Sequence, residues 1–538
     1  MRPNPELNVR SRVALWSTWV GSALALAGLA LAAGQASLTT PGDGARQGPQ
    51  TASAPELRHL VVFHTNDIHG QVLPRPATWL KDVDPLPDSG GLPRLAATLR
   101  RERAEAEADG AAVLVVDGGD WFQGTPEGNL DQGRGFLAAL AAAGHDALVV
   151  GNHDFDHGVE VLTGHLAAVG LPALLANVHD AAGAPVPGTR DALVFERLGL
   201  RIAVVGLLTP VTPDITHAST RELTFEDPVQ ALTRVRAALG ERVDWILPVC
   251  HLGVENERAL AAALPWLDVV VGGHSHTYLR KGVDEGATLV VQAGDKASVL
   301  GRVDVWFDAD GHVVKKSARL IDLYEEPAAE FRNASVDALC QALAGRAAAS
   351  MDEVVGTLTA PLEQSRRPLV NTTAGNFITD LMRARTGADC AVHNRGGIRT
   401  ALPAGPVTRR DLFMILPFAN HLATLELDGA TLIEIMRRSV EDADARPLEF
   451  SGMTLVVRME EGQPRFVELR IGGAVCEPAK RYRMTTNSFL ADGNDGLKEL
   501  ASASPRELDF ILLRDLLEQA FAGQALTPAN DQRYEVQR

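Results

Sequence analysis

Short Val/Ile/Leu-rich runs alternate with helix-like stretches over residues 57–325, which predicts an α/β fold. A change of pattern near residue 325 predicts a second α/β domain joined by a helix. The runs are LVVF (60–63), AAVLVV (111–116), ALVV (147–150), RIAVVGLL (201–208), DWILPV (244–249) and LDVVVG (267–272). Continuous apolar runs of this length suit strands buried on both faces. Between them, residues 92–110 and 228–240 carry helical patterns. An Ala-rich stretch, 326–350, reads as the connecting helix, and strand candidates resume at 388–394, 424–428 and 453–459 in a domain spanning 351–538.

Residues 1–36 read as a signal peptide or N-terminal anchor. Arg2, Arg10 and Arg12 precede an uncharged run from Val13 to Ala36, long enough to span a bilayer and ending in small residues suited to cleavage. No Cys lies there to carry a lipid. Export to a periplasm, cell envelope or extracellular space is expected, with membrane contact only through this segment if it stays uncleaved. Residues 37–56, rich in Gly, Pro, Ser, Thr and Gln, read as a linker. The four Cys (Cys250, Cys340, Cys390, Cys476) form no CxxC pair, so a zinc finger or thioredoxin motif is excluded; either two disulfides or four buried thiols fit.

Lys and Arg number 51 against 68 Asp and Glu, a net charge of −17. An acidic surface repels phosphate backbones, so nucleic acid is excluded as a charge-driven partner. Charged residues make up only 22% and mean hydropathy is near zero, which excludes a disordered chain. A small phosphate ligand would need local positive charge.

The strand ends supply that chemistry. Asp67 and His69 follow the first run, Asp120 the second, Asn152 and His153 the third, His251 the fifth, and His274 and His276 the sixth. Open α/β sheets bind ligands at the carboxyl ends of their strands, so these side chains are expected to converge. The i, i+2 spacing of Asp67/His69 and His274/His276 puts each pair on one face of an extended segment, and the glycines before the ligands let the backbone turn close to an ion. A single His after a strand is usually structural, and Asp in DGGD is usually a turn-former. Five independent coincidences are a poor explanation, and five of the fifteen His lie here. Imidazole, carboxylate and carbonyl donors suit two divalent ions (Zn, Mn, Fe or Co, with Mg also admissible) better than an all-oxygen Ca²⁺ site. Two such ions about 3.5–4 Å apart would clamp a phosphoryl group and activate water. His153 would serve the leaving group or the phosphoryl oxygens, with Asp156 orienting its ring; Asp154 and Asp117 would act only from behind.

The strings HTNDIHG (64–70), GGDWFQGTP (118–126), GNHDFDHG (151–158) and GGHSHT (272–277) resemble the 5′-nucleotidase branch of the calcineurin-like metallophosphoesterases. The resemblance implies an αββα domain, layered sheets flanked by helices. It implies one metal at Asp67, His69, Asp120 and His276, and a second at Asp120, Asn152, His251 and His274, with the His153–Asp156 dyad beside them. Some periplasmic members carry Gln where His276 stands. In the second domain HNRGGIRT (393–400), LPFANH (416–421) and NSFLADGNDG (487–496) resemble the 5′-nucleotidase C-terminal domain. That implies a nucleoside pocket of Asn394, Arg399, Phe418, Phe489 and Asp495, the two Phe stacking a base. The family's phosphate-side Arg precedes a helix matching TTAGNFITDLM (372–382); here Arg366 and Arg367 lie several residues further upstream.

The expected activity is hydrolysis of nucleoside 5′-monophosphates to nucleoside and phosphate. The alternatives are a 2′,3′-cyclic-nucleotide phosphodiesterase/3′-nucleotidase, a UDP-sugar or dinucleotide pyrophosphatase, or a catalytically silent nucleotide-binding envelope protein. The division of metals and pocket between two domains suggests that the connector lets them approach.

Overall fold

Pairing in the computed structural model, which describes residues 57–537 apart from 78–79, 81–84, 171, 366 and 443–444, separates the first-domain strands into two sheets. One has seven strands in the order Val313–Asp322, Val299–Phe307, Arg58–Thr65, Ala112–Asp117, Ala147–Val149, Ala173–Leu174 and Thr189–Arg190. The other has six, in the order Val283–Glu285, Thr288–Val291, Val269–Val271, Trp245–His251, Leu200–Leu208 and Ala192–Arg197. The central strands of both are parallel; the antiparallel strands lie toward the edges.

Alternation along each strand explains the layers. Leu60 and Val62 point into a core shared with Val204, Leu247, Val249 and Val271 of the second sheet. Val61 and Phe63 point the opposite way, into a core with Leu95 and Leu99 of the helix Leu92–Ala108. On the far face of the second sheet, Val205 and Val270 pack on Leu232 and Leu260 of the helices Pro228–Leu239 and Val254–Ala263. This is the αββα arrangement, each fully buried large apolar side chain contributing roughly 1.5–3 kcal/mol.

The connecting helix differs from expectation. It runs Ala334–Met351 after a single 3₁₀ turn at Ala329–Phe331, with Asn333 capping its first turn. Val336, Cys340 and Leu343 are buried in the first domain's helical core. The Ala-rich composition allows this close packing, so the helix is a core element and not a free spacer. Arg346 pins it further through paired bonds of 2.8 and 2.9 Å to Asp131.

After it, a five-stranded sheet (Leu448–Ser451, Cys390–Asn394, Arg481–Asn487, His421–Asp428, Arg506–Leu512) packs with the helices Thr373–Thr386 and Gly429–Glu441. Smaller sheets of four and three strands complete this half. All four Cys are buried free thiols. The expected signal or anchor (1–36) and linker (37–56) lie outside the described residues. Among the described residues no helix is long and apolar enough to cross a membrane.

Two buried histidines set an acid limit on stability. Burial lowers His145 and His393 to about 4. Because the unfolded chain takes up the proton first, their full contribution is present above pH 6.5 and is lost as pH falls toward 4, about 3 kcal/mol each. Between pH 7 and pH 4.5 the urea midpoint is expected to drop further, or rise less, in the parent chain than in His145→Gln or His393→Gln; an equal change would contradict this.

Candidate active site

The carboxyl ends of the parallel strands meet at one point, and the backbone there is unusual. Asp67, His69, Asp120, His274 and His276 have φ of 51°, 52°, 61°, 75° and 54°. These left-handed conformations cost non-glycine residues about 1–3 kcal/mol each and cluster at functional sites. They correct the extended-segment reading: Asp67/His69 and His274/His276 converge because the chain kinks at each ligand. The role of most preceding glycines also differs. Gly151, Gly272 and Gly273 have no positive φ; they are needed for space. A Cβ at Gly151 would overlap the Asp120 carboxylate, one at Gly272 the Glu257 carboxylate, and one at Gly273 would lie 3.0 Å from His251 Nδ1. Only Gly119, at φ 92°, supplies the expected turn.

The donor atoms are oriented from behind. His69 Nδ1 donates to the Gln123 carbonyl at 2.7 Å and His251 Nδ1 to the Gly118 carbonyl at 2.6 Å. This leaves each Nε2 lone pair directed inward. His69 Nε2 meets His276 Nε2 at 3.0 Å, and His276 Nε2 lies 3.4 Å from Asp67 Oδ1. His251 Nε2 lies 3.2 Å from both Asp120 Oδ2 and Asn152 Oδ1, while His274 Nδ1 lies 2.8 Å from the same Asn152 oxygen. Asp67, His69 and His276 form one group able to hold a cation; Asp67, Asp120 and His251 form another. Facing nitrogens and buried carboxylates are a donor set that divalent ions fit.

The electrostatics agree with that fit. Burial lowers His274 to about 3 and, with the His276 charge, takes His69 well below an ordinary imidazole. Burial would lower His251 and His276 too, but Asp120 and Asp67 respectively raise them to about 10 and about 9. Buried carboxylates thus hold positive charge here, as protons on the rings or as a cation that displaces them.

His153 sits beside this group in a 3₁₀ turn, His153–Phe155. Its amide donates to Asp120 Oδ1 at 2.8 Å. Its Nδ1 bonds Asp156 Oδ2 at 2.9 Å, and Thr216 donates to Asp156 Oδ1 at 2.8 Å. Thr216 carried no sequence signal. Asp154 accepts the amides of Asp120, Trp121 and Gly151 at 2.8–3.0 Å, so it braces two ligand loops. Asp117 accepts from Thr65 and the Gly119 amide, and burial lifts it to about 7. Glu257, lifted by burial to about 8, bonds the Gly273 amide and Gln292; Gln292 in turn bonds the Thr277 amide. Neither Glu257 nor Gln292 stands out in the sequence.

A cavity of about 700 Å³ opens from this cluster. Asp120, Asn152, His153, Asp156, His274 and His276 line one side; Asn394, Arg399, Phe418, Phe489 and Asp495 line the other. The Phe418 ring lies 5.5 Å from the His153 ring, with Arg399 5.8 Å from the Phe418 centre. Asp495, at φ 52°, is raised by burial and bonds Asn394. Arg446 and Arg514, which sequence reasoning missed, also line the cavity. Arg366 lies outside the described residues; the Arg367 carbonyl accepts from Arg395 and its amide donates to Ser365 Oγ, and it is not among the residues that line the cavity.

Comparisons agree in both halves. Residues 60–278 match the family model of the calcineurin-like phosphoesterase, and residues 354–502 that of the 5′-nucleotidase, C-terminal domain. The chain is 28% identical over 502 residues to protein UshA of Escherichia coli, covering 82% of this chain and 86% of the relative. It is 26% identical over 532 residues to a 5′-nucleotidase of Vibrio cholerae, covering 87% and 92%. A crystal structure of a 5′-nucleotidase precursor from Thermus thermophilus superposes with a TM-score of 0.77 at 27% identity, over 89% of this chain and 99% of that one. A Thermus thermophilus sulfate thiohydrolase, at 19% identity and TM-score 0.72 over 90% and 98%, shares the fold alone.

Proposed function

The chain belongs to the 5′-nucleotidase family, a calcineurin-like phosphoesterase domain followed by a 5′-nucleotidase C-terminal domain, and from that premise we infer how its residues divide the work. It is a metal-dependent phosphohydrolase of 5′-nucleotidase type. The observation that carries the reading is one cavity lined by the strand-end cluster on one side and the Asn394, Arg399, Phe418, Phe489 and Asp495 set on the other.

Asp67, His69, Asp120 and His276 would hold one ion, and Asp120, Asn152, His251 and His274 the other. When bound, two divalent ions supply Lewis-acid stabilisation of phosphoryl oxygens and a nucleophilic water at neutral pH. The chain's residues do the rest. Asp156 holds His153 by Nδ1, so Nε2 faces the cavity and can donate to the leaving oxygen of a 5′-phosphate. Arg399 adds a guanidinium on the cavity wall for the phosphate. Phe418 and Phe489 offer faces to the base, and Asp495 accepts from ribose hydroxyls. Expulsion of a nucleoside 5′-oxygen fits this order along the cavity. Residues 1–36 support export.

The test is a substrate panel with Mn²⁺ or Zn²⁺ supplied: AMP, 3′-AMP, 2′,3′-cyclic AMP and UDP-glucose, read as kcat/KM. AMP is expected to exceed the others by about tenfold or more, since stacking and ribose contacts serve it with the phosphate at the metals. A higher value for the cyclic or sugar substrate would overturn the monophosphate assignment. No turnover of any would favour a silent binder.

A further inference from the structure

We propose that Asp295 is the positioning residue for His276, accepting its Nδ1–H and turning its Nε2 toward Asp67 and His69. The proposal rests on the reading of this cluster as a metal centre and adds a residue that the strand-end motifs omit.

Three observations carry it. Asp295 Oδ2 lies 3.5 Å from His276 Nδ1, behind the ring, while Nε2 on the opposite side faces His69 Nε2 at 3.0 Å. Asp295 is itself held in place: Tyr278 donates to Oδ1 at 2.8 Å, and Arg75 lies 3.6 Å from the same oxygen. The Tyr278 hydroxyl is fixed in turn by Ser298 at 2.7 Å. One carboxylate oxygen therefore serves the tyrosine and the other serves the imidazole.

Second, the loop carrying Asp295 is bound to the loop carrying Asp67. The Lys296 amide donates to the Asp67 carbonyl at 2.7 Å. Asn66 accepts the Ala293 amide at 2.8 Å, and its own amide group donates to Gly294 at 2.8 Å and to Asp67 Oδ2 at 2.7 Å. Lys296 and Ala297 adopt φ of 54° and 49°, strain that the surrounding bonds must hold. The registration of Asp295 against His276 is thus built into the backbone.

Third, His69 and His251 are already oriented by carbonyls behind them. His276 has 22% of its side chain exposed where those two have 1% and 0%, so packing fixes its ring least. A carboxylate is the stronger partner, aligning the ring and raising the basicity of the inward nitrogen.

The test is Zn²⁺ titration of the metal-stripped full chain against a chromophoric chelator, for wild type, D295N, H276Q and the double variant. Wild type is expected to bind about two ions. D295N is expected to weaken one by about 10–100-fold and leave the other unchanged. In the H276Q background, D295N is expected to add nothing, because the group it acts through is gone. Y278F, which releases the other carboxylate oxygen, is expected to weaken the same ion by less and stands in if D295N does not fold. Unchanged affinity in D295N or, in its place, Y278F overturns the proposal; so does an equal loss from D295N with and without His276, which marks a merely structural role. Wild type that binds no Zn²⁺ overturns the metal-centre reading itself.

Discussion

Replacing His153 with alanine is expected to lower kcat for AMP by about 10²–10⁴-fold while leaving bound metal and KM nearly unchanged, the usual range for a lost general acid. His153 is 13% exposed at its side chain, on the cavity wall, and is not one of the inward-facing donors. Its ring is held by Asp156, and Asp156 by Thr216. The contact to Asp120 uses the His153 backbone amide, which alanine keeps. The loss should therefore fall on the chemical step and spare the structure. Asp156→Asn is expected to produce a smaller loss in the same parameter, since the ring stays but its orientation is no longer fixed. Metal analysis beside steady-state kinetics checks both; loss of metal in His153→Ala would reassign it to the donor set.

Asp120→Ala is expected to have the larger effect, a loss of activity on the order of 10³-fold or more together with loss of bound metal. Its Oδ2 lies 3.2 Å from His251 Nε2 and 3.9 Å from His69 Nε2, so it reaches toward both histidine groups. Its side chain also receives the His153 amide. Removing it leaves His251 facing Asn152 without the carboxylate that raises it, and unties the turn that presents His153. A variant that keeps both ions and a tenth of the activity would show that Asp120 does not link them.

How far the sequence anticipates this site depends on what each residue's role rests on. Strand ends were readable because continuous apolar runs mark buried parallel strands, and such strands deliver their carboxyl ends to one place. The cluster of Asp67, Asp120, Asn152, His251 and His274 follows from that rule without any knowledge of contacts. The division into two sheets does not, because the periodicity of a buried strand is the same whichever sheet it joins. The left-handed backbone at the ligands was invisible for a similar reason: the kinks are imposed by tertiary bonds such as the Asp67 amide to the Gly119 carbonyl at 2.8 Å. The glycines before the ligands are legible in the sequence, yet their reason at Gly151 and Gly272 is a carboxylate brought in by the fold, Asp120 for Gly151 and, nearer in sequence, Glu257 for Gly272. Asp295 follows the strand Thr288–Val291, parallel to its neighbour, so the same rule applied to one more strand would have found it. Thr216 has no such marker, since its role rests on a tertiary bond to Asp156, and Arg446 and Arg514 have none, since theirs rest on the cavity that both halves line.

The most direct measurement is phosphate release from AMP by metal-stripped protein as Mn²⁺ or Zn²⁺ is returned. Rate should be near zero without metal, rise with the ions added, and reach its plateau at about two equivalents per chain. A full rate in the stripped protein, or a plateau at one equivalent, would contradict the two-ion account.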